Sequence, residues 1–541
     1  MSEKYSRPAQ PPPTYNQPGG GQSPFNEPYY PQQGVNSSDY HQQQRPDYDP
    51  ESQFPPEKIV GSGKPDNAET FDDSFKVKNK LNDWPFTILF IATLAGFVVV
   101  AGIVLSAWAS NYSTSGSGIY DSGASFTLNT NTVVLFAFVI VISLVLAVLM
   151  LCFARIAPKR FIQVGIVLNV VLGLASSIYY LAVGYYSAGV VFLVFTLISA
   201  YCYWSMRGRI PFSATVLTIV IDVMKRNPST LMTSLIGIIV SGAFAALFSA
   251  TVVATYMKWT PSDENGNCSF NEGSTSCSRS KVIGILVFVF FAGYYITEVI
   301  GNVIHVTISG VYGSWYYLSR SDQGMPRFPA LGAFKRAMTW SFGSICFGSL
   351  IVALLQLLKT IIQILKNDAM QNGEGWQTII LCCADCILGL IEWAVRYFNH
   401  YAYSFVALYG ESYMKSARAT WDLFRAKGLD ALVNDCLIGA GLSFFALFVS
   451  YLSALFSYLY LRYTAPGYNS DGSFYAPVIA FTFVIALQIV NIASSVIRSG
   501  TATFFVCLAR DPEVFQISYP DEFSRIFADY PQVMNKVAAR Q

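Results

Sequence analysis

Residues 291–317 read FAGYYITEVIGNVIHVTISGVYGSWYY, and this stretch decides what kind of fold the chain can have. It is apolar over a length sufficient to cross a bilayer core, which takes about 20 residues of helix. It nevertheless contains an acid, an amide and an imidazole at Glu298, Asn302 and His305. Polar side chains are costly inside a membrane, so we interpret the segment as a membrane-spanning helix whose polar residues face a partner or a cavity.

The composition of the whole chain is typical of a membrane protein. Of its 541 residues, 53% are hydrophobic and 13% are charged, whereas soluble globular domains average about 25% charged residues. The net charge is +2, and the chain has no compact basic cluster of the kind that binds nucleic acid. We therefore expect the lipid bilayer to surround most of this chain. We expect no nucleic acid as a partner.

Ten apolar runs are long enough to form membrane-spanning helices. They predict an all-α polytopic membrane protein with about ten transmembrane helices. The segment 211–227 is shorter and ends in basic residues, so it is predicted either as an amphipathic helix in the cytoplasmic interface or as an eleventh buried segment. The ten runs lie at 85–109, 132–153, 161–183, 187–206, 229–257, 282–308, 337–365, 377–403, 431–461 and 477–508.

Links rich in lysine and arginine alternate with links poor in these residues along the chain. Cytoplasmic links are enriched in these two residues, so the alternation predicts that both termini are cytoplasmic. The first 80 residues lack the apolar stretch of a signal peptide. The basic links are 154–160, 207–226, 319–336 and 415–427, whereas 110–131 and 184–186 carry no lysine or arginine.

Composition also divides the chain into three parts. Residues 1–83 are rich in Pro, Gln, Tyr, Ser and Gly. They are predicted to be a disordered cytoplasmic tail, because they cannot bury enough apolar surface to fold alone. Residues 84–510 form the predicted transmembrane domain, and residues 511–541 form the predicted cytoplasmic C-terminal tail.

The N-terminal tail contains one short recognition motif. Pro12, Pro13 and Tyr15 belong to a PPxY sequence, and proline-rich segments of this type bind the aromatic grooves of WW domains. We expect a WW-domain ubiquitin ligase as the partner of this motif. A chance match in low-complexity sequence is the alternative.

Two predicted outside loops carry residues that are modified in extracellular proteins. Cys268 and Cys277 lie in the loop CSFNEGSTSC and are predicted to form a disulfide in an oxidising compartment. Asn111 and Asn267 begin Asn-x-Ser sequons, which predict N-glycosylation.

The polar residues of the segment 291–317 fall on one helix face. At 100° per residue, seven polar and aromatic side chains share an arc of about 80°. Such a stripe predicts a helix face that lines a wet path inside the bundle, and a buried polar network that holds helices together is the alternative. The seven residues are Tyr294, Glu298, Asn302, His305, Ser309, Tyr312 and Tyr316.

An acid with aromatic neighbours suits an organic cation, because aromatic faces and one carboxylate are the attractions that a quaternary ammonium group can use. Glu298 is predicted to recognise the charge of the substrate. Tyr294, Trp315 and Tyr316 are the predicted aromatic walls. His305 is the candidate proton relay, since imidazole titrates near neutral pH.

A second segment, EWAVRYFNHYAYSFVALYG at 392–410, combines the same residue types. Its Asn399 and Tyr403 are predicted to form the opposite wall of the site. Asn302 joins Glu298 as a candidate substrate ligand on the first wall.

Enzyme motifs are missing from the sequence. The chain has no nucleotide-binding glycine loop with its lysine, no serine nucleophile elbow and no HExxH. Only three histidines are present. We therefore expect no catalytic residues, no metal site and no cofactor.

Four segments in order along the chain carry a family resemblance: YYITEVIGNVIHVTISGVYGSWYYLSR (294–320), KRAMTWSFGSICFGSLI (335–351), FNHYAYSFVALYG (398–410) and SGTATFFVCLARDPE (499–513). They resemble the choline transporter-like family, and within it the fungal plasma-membrane branch. The resemblance extends over the predicted membrane domain, from about residue 84 to residue 513.

The resemblance implies ten transmembrane helices, cytoplasmic termini and transport of choline or related amino alcohols. It places Glu298 in the family's Ser/Thr-Glu motif on the sixth span. It also places Asn399, Ala402 and Tyr403 in the family's Asn-x-x-Ala-Tyr motif on the eighth span. The first outside loop is short and has no cysteine, unlike that of animal members, which leaves the substrate of this branch open.

The main hypothesis from the sequence is a multi-pass plasma-membrane carrier for a small organic cation or amino alcohol, choline-like, that works by alternating access. Proton coupling at His305 is compatible with it. The alternatives are a non-transporting membrane scaffold or sensor that displays its cytoplasmic tails, and a channel.

Overall fold

The computed structural model describes residues 80–111, 130–259, 279–321, 324–373, 375–427, 430–464 and 475–527. In these ranges the chain forms fifteen α-helices and one 3-10 helix and has no strand, which confirms the predicted all-α class. The helices are α1 (Trp84–Asn111), α2 (Thr130–Ile156), α3 (Pro158–Ala182), α4 (Tyr186–Met206), the 3-10 helix (Arg207–Arg209), α5 (Ile210–Arg226), α6 (Ser229–Trp259), α7 (Arg279–Leu318), α8 (Pro329–Met338), α9 (Phe342–Gln371), α10 (Gly375–Tyr409), α11 (Tyr413–Lys427), α12 (Asp430–Thr464), α13 (Tyr475–Arg510), α14 (Pro512–Ser518) and α15 (Pro520–Phe527).

Ten helical segments within the described ranges are long and apolar enough to cross a membrane, as predicted. They lie in α1, α2, α3, α4, α6, α7, α9, α10, α12 and α13, and the fourth runs on through the 3-10 helix into α5. Several helices exceed the predicted spans. The longest, α7, has 40 residues, or about 60 Å at 1.5 Å per residue, whereas a bilayer core is about 30 Å thick. Part of α7 therefore extends beyond the bilayer and packs against protein.

The segment 211–227 forms α5, a separate amphipathic helix. Its apolar face, which includes the buried Leu217 and Val220, packs against α3, α12 and α13. Asp222 of the same helix is half-exposed and forms an ion pair with Arg155 of α2. The segment is therefore amphipathic, as one of the two predictions stated. One of its faces is also buried among other helices, as the prediction of a buried segment stated.

α7 lies at the centre of the helix bundle. It contacts α1, α6, α8, α9, α10 and α13. Its contact with α13 depends on Gly500, because a Cβ at this position would overlap the ring of Tyr312. The Tyr312 hydroxyl donates a hydrogen bond to the Val220 carbonyl of α5 at 2.9 Å. The missing side chain at residue 500 thus allows α5, α7 and α13 to meet.

The first part of the predicted C-terminal tail packs on the end of α7. The backbone carbonyl of Asp511 accepts a hydrogen bond from the Tyr316 hydroxyl at 2.9 Å, and its carboxylate accepts one from the Tyr317 hydroxyl at 2.5 Å. Phe515 of α14 and Phe523 of α15 are buried behind this contact. The packed bundle therefore includes chain beyond residue 510.

We expect Gly500→Ala to lower the free energy of unfolding by about 1–3 kcal/mol, the usual cost of overpacking. The Tyr312 ring would have to move away from an added Cβ, and its hydrogen bond to Val220 would be lost. The control is Gly242→Ala in α6, where an added Cβ meets no atom within 4 Å. The test compares the apparent melting temperatures of the two detergent-purified variants with wild type. Equal melting of both variants would contradict this packing of α7 on α13.

Burial raises the pKa of the Asp511 carboxyl above its ordinary value, although the Tyr317 hydrogen bond and the charge of Arg510 oppose the shift. Folded protein therefore binds this proton more tightly than unfolded protein does. The resulting stabilisation is fully present below the ordinary carboxyl pKa and is lost as the pH rises through the raised pKa. Asp511→Asn mimics the protonated carboxyl and can still accept a hydrogen bond from Tyr317.

We accordingly expect the stability of Asp511→Asn, relative to wild type, to increase from about pH 4 to about pH 7. The measurement is the melting temperature of both proteins in detergent over this range. A difference between them that stays constant with pH would show that the carboxyl has an ordinary pKa.

Candidate functional site

The predicted polar face of α7 meets two neighbouring helices, α9 and α10. The Tyr294 hydroxyl lies 2.7 Å from the Thr360 hydroxyl of α9. Glu298, Asn302 and His305 each contact a residue of α10. The structure therefore brings the first four residues of the predicted stripe into one continuous contact with the α9–α10 pair.

A chain of four charges crosses these three helices at membrane depth. Nη1 of Arg396 lies 2.7 Å from the Glu298 carboxylate, and Nε of the same arginine lies 3.0 Å from Glu392. Nζ of Lys359 in turn lies 3.0 Å from Glu392. Two acids and two bases balance one another, which reduces the cost of placing them in hydrocarbon.

The Arg396 side chain is the most open member of this chain of charges. It is 39% exposed, whereas the side chain of Glu298 is only 12% exposed. A half-exposed guanidinium within an apolar span is costly unless water or polar groups reach it. The protein encloses Glu298 more fully than Arg396, its partner in the ion pair.

Asn302 lies one helical turn beyond Glu298 along α7 and meets a serine of α9 and a tyrosine of α10. Nδ2 of Asn302 donates to the Ser349 hydroxyl at 2.9 Å and approaches the Tyr403 hydroxyl at 3.5 Å. The Tyr403 hydroxyl donates to the Ile345 carbonyl at 3.1 Å. These groups are fixed by α9, so they form a rigid polar patch next to the acid.

Asn399 is held by a residue that the sequence did not indicate. Its Nδ2 donates to the Gly348 carbonyl at 3.2 Å, and its Oδ1 accepts a hydrogen bond from the Tyr413 hydroxyl at 2.6 Å. Burial raises the pKa of Tyr413 to about 12, so its hydroxyl stays protonated and able to donate. The backbone N–H of Tyr413 donates to the Asp83 carboxylate at 2.8 Å. Asp83 precedes α1, and the site is thereby tied to the start of the first span.

Gly348 is required for this arrangement. A Cβ at residue 348 would overlap both the Tyr403 hydroxyl and the Tyr413 ring. Both tyrosines can therefore lie against the α9 backbone only because this side chain is absent.

His305 is buried and stacks on His400, with ring centroids 3.8 Å apart. Its Nε2 lies 2.8 Å from the His400 carbonyl, and its Nδ1 lies 2.8 Å from the Ser499 hydroxyl. A carbonyl can only accept, so Nε2 carries the proton and, in the neutral ring, Nδ1 accepts from Ser499. The imidazole therefore links α7, α10 and α13 through a defined tautomer.

The structure places Trp315 and Tyr316 apart from this cluster. They lie seventeen and eighteen residues after Glu298, about 25 Å along the helix axis. The Trp315 ring packs on Tyr519 with centroids 5.1 Å apart, and the Tyr316 ring stacks on Phe515 at 5.9 Å. Both aromatics thus anchor the C-terminal segment and do not neighbour the Glu298 carboxylate.

Several predicted residues fall outside the described part of the chain. The side chain of Asn111, the last residue of α1, is among them. The others are Pro12, Pro13 and Tyr15 of the PPxY motif, Asn267 of the second sequon, and the predicted disulfide pair Cys268 and Cys277.

The i, i+4 spacing of Glu392 and Arg396 in the sequence allows their pairing, but the sequence does not indicate the contact of Arg396 with Glu298. Sequence reasoning also missed Lys359, Ser349 and Tyr413. Helical spacing identifies the i, i+4 pair, since both residues lie on one helix. The other contacts join different helices, and the only available signal was the rarity of ionisable residues within apolar runs.

Comparisons with known proteins agree with this architecture. A family described as "Plasma-membrane choline transporter" matches residues 190–513. Protein PNS1 of Debaryomyces hansenii and Protein PNS1 of Candida albicans are each 58% identical over 477 residues, which cover 88% of this chain and 92% of each relative. Protein PNS1 of Saccharomyces cerevisiae is 51% identical over 544 residues and covers 99% of both chains.

Proposed function

Because the chain belongs to the plasma-membrane choline transporter family and is a multi-pass membrane transporter, we propose that its cargo is a small organic cation or amino alcohol of the choline type. In this proposal Glu298 recognises the positive charge, and the protein carries its substrate across the plasma membrane by alternating access.

One observation carries the proposal: the Glu298 carboxylate already holds an organic cation, the guanidinium of Arg396, at 2.7 Å. This contact supports the proposal that the Glu298 carboxylate can bind a positively charged group about as large as a guanidinium. The Arg396 side chain is 39% exposed, so the protein does not close off this ion pair on every side.

The polar patch beside Glu298 supports an amino alcohol. Asn302 follows Glu298 by one helical turn, about 5 Å of rise, and its amide contacts Ser349 and Tyr403 of the neighbouring helices. Their amide and hydroxyl groups can exchange hydrogen bonds with a substrate hydroxyl. In this proposal, therefore, the acid binds the ammonium end and the patch binds the hydroxyl end of the substrate.

The orientation of the protein in the membrane is also part of the proposal. The basic residues of α8 and α11, among them Lys335 and Lys415, support cytoplasmic placement of these two helices and of both termini. The contact between Asp83 and Tyr413 then lies at the cytoplasmic end of the site. Lys359 and Glu392 then lie on the route that leads outward.

We expect Glu298→Gln to reduce the uptake of organic cations about tenfold or more, because the amide keeps the size of the acid but loses its charge. The measurement is the uptake of labelled choline, ethanolamine and tetramethylammonium by proteoliposomes that contain the purified full-length protein. The matched control is Asp385→Asn. Asp385 is an acid of α10 that pairs with Lys366 and not with Arg396.

Uptake by Glu298→Gln equal to that of wild type would refute the role of Glu298. If wild-type protein transports none of these cations, the proposal that it is a carrier for this class of substrate is refuted. The hypothesis of a non-transporting scaffold or sensor would then be the next to test.

Proton coupling at His305 is the second part of the proposed mechanism. His305 links α7 to α10 and α13 through both ring nitrogens, so its protonation would change contacts among three helices. His305→Gln keeps a donor for the His400 carbonyl but cannot carry a proton charge. We expect this variant to lose the stimulation of uptake by an inward proton gradient while it retains uptake without a gradient. A gradient response that survives in the variant would exclude His305 as the coupling group.

A further inference from the structure

Arg396 contacts two acids on two different helices with different nitrogen atoms. Nη1 binds Glu298 of α7 at 2.7 Å, and Nε binds Glu392 at 3.0 Å, one turn away on its own helix, α10. The two ion pairs are therefore separable. A rotation at the end of the side chain can break the first contact while the second remains.

Glu298 is neutralised in this arrangement. A substrate cation can gain the full attraction of the carboxylate only if the guanidinium leaves it, because two cations on one carboxylate repel each other. The departing arginine would not become an uncompensated charge, since Glu392 still holds its Nε. Its side chain is 39% exposed, so protein atoms do not enclose it on every side.

Lys359 sets the balance between the two acids. Its Nζ lies 3.0 Å from Oε2 of Glu392, whereas Nε of Arg396 lies 3.0 Å from Oε1, so the two cations share one carboxylate. Because these two cations repel each other, Lys359 favours the contact of Arg396 with Glu298 when no other cation is present. A substrate that occupies Glu298 shifts the arginine toward Glu392.

We propose that Arg396 is an internal competitor for the substrate cation: it neutralises Glu298 in the empty carrier and withdraws to Glu392 when the substrate binds. The inference rests on the proposed function and assigns to Arg396 a role in the empty state. An unpaired carboxylate closed off from water is strongly disfavoured. The arginine removes this cost, so the empty carrier can close and return without substrate.

A carrier that returns empty performs net uptake. A carrier whose empty site cannot close moves only when it is loaded, and it therefore exchanges substrate on one side for substrate on the other. The alternative is a purely structural role, in which the ion pair holds α7 against α10 and does not change during transport. It predicts that loss of Arg396 impairs both transport modes to the same extent and leaves substrate affinity unchanged.

The experiment compares net uptake with exchange in proteoliposomes containing full-length wild type or Arg396→Gln. Labelled choline enters empty vesicles in the first mode and vesicles preloaded with unlabelled choline in the second. We expect Arg396→Gln to lose net uptake about tenfold or more and to retain exchange. Its equilibrium affinity for choline should rise about tenfold, because the competitor is gone.

Glu392→Gln provides a test in the opposite direction and leaves the contact of Arg396 with Glu298 in place. Without Glu392 the arginine has no second acid to withdraw to, so we expect choline affinity to fall below that of wild type. Lys366→Gln is the matched control, because Lys366 pairs with Asp385 on the same helix pair and does not contact Glu298 or Arg396. We expect it to change neither affinity nor the ratio of net uptake to exchange.

Affinities of Arg396→Gln and Glu392→Gln that both equal the wild-type value would overturn the inference. Equal loss of both transport modes in a folded Arg396→Gln protein would also overturn it. If Arg396→Gln does not fold, the fall in affinity of Glu392→Gln decides the question. Failure of the proposed function looks different: wild type then binds no choline, or Glu298→Gln binds it as tightly as wild type.

Discussion

The energetic cost of an unpaired charge inside a membrane determines how the centre of this protein is built. Glu298 lies within an apolar span, and Arg396 neutralises it from a neighbouring helix. Arg396 also neutralises Glu392, which is shared with Lys359. Three helices must keep their relative positions for these pairs to persist. In the proposed function, a substrate cation that reaches Glu298 changes which partner each acid holds.

Residues that follow Arg396 along α10 are held by hydrogen bonds to other parts of the protein. Asn399 is held by Gly348 and Tyr413, and Tyr413 is held by Asp83 at the start of the first span. Farther along α7, the aromatic residues pack against the segment that follows α13. One long helix therefore carries an ion pair near its middle and a closed aromatic packing at its end.

Much of the fold follows from the sequence by elementary rules. Run length predicts the ten spans, because the thickness of the bilayer is constant. The spacing of Tyr294, Glu298, Asn302 and His305 predicts one shared face, because the helical period is 3.6 residues. The two helices that carry predicted walls, α7 and α10, are indeed in contact. Trp315 was predicted as an aromatic wall from its residue type alone, although a separation of seventeen residues already places it about 25 Å from Glu298 along the helix axis.

The sequence by itself determined the lipid environment, the helical class and the set of residues that share a face of α7. Only the tertiary structure decided which partner each of those residues meets. His305 and the His400 carbonyl that it contacts are 95 residues apart in the chain, and the register between their helices depends on close backbone approaches such as those at Gly348 and Gly500. Local periodicity contains no information on that register. The pairing of Glu298 with Arg396 is therefore a property of packing, and the function proposed for the acid depends on it.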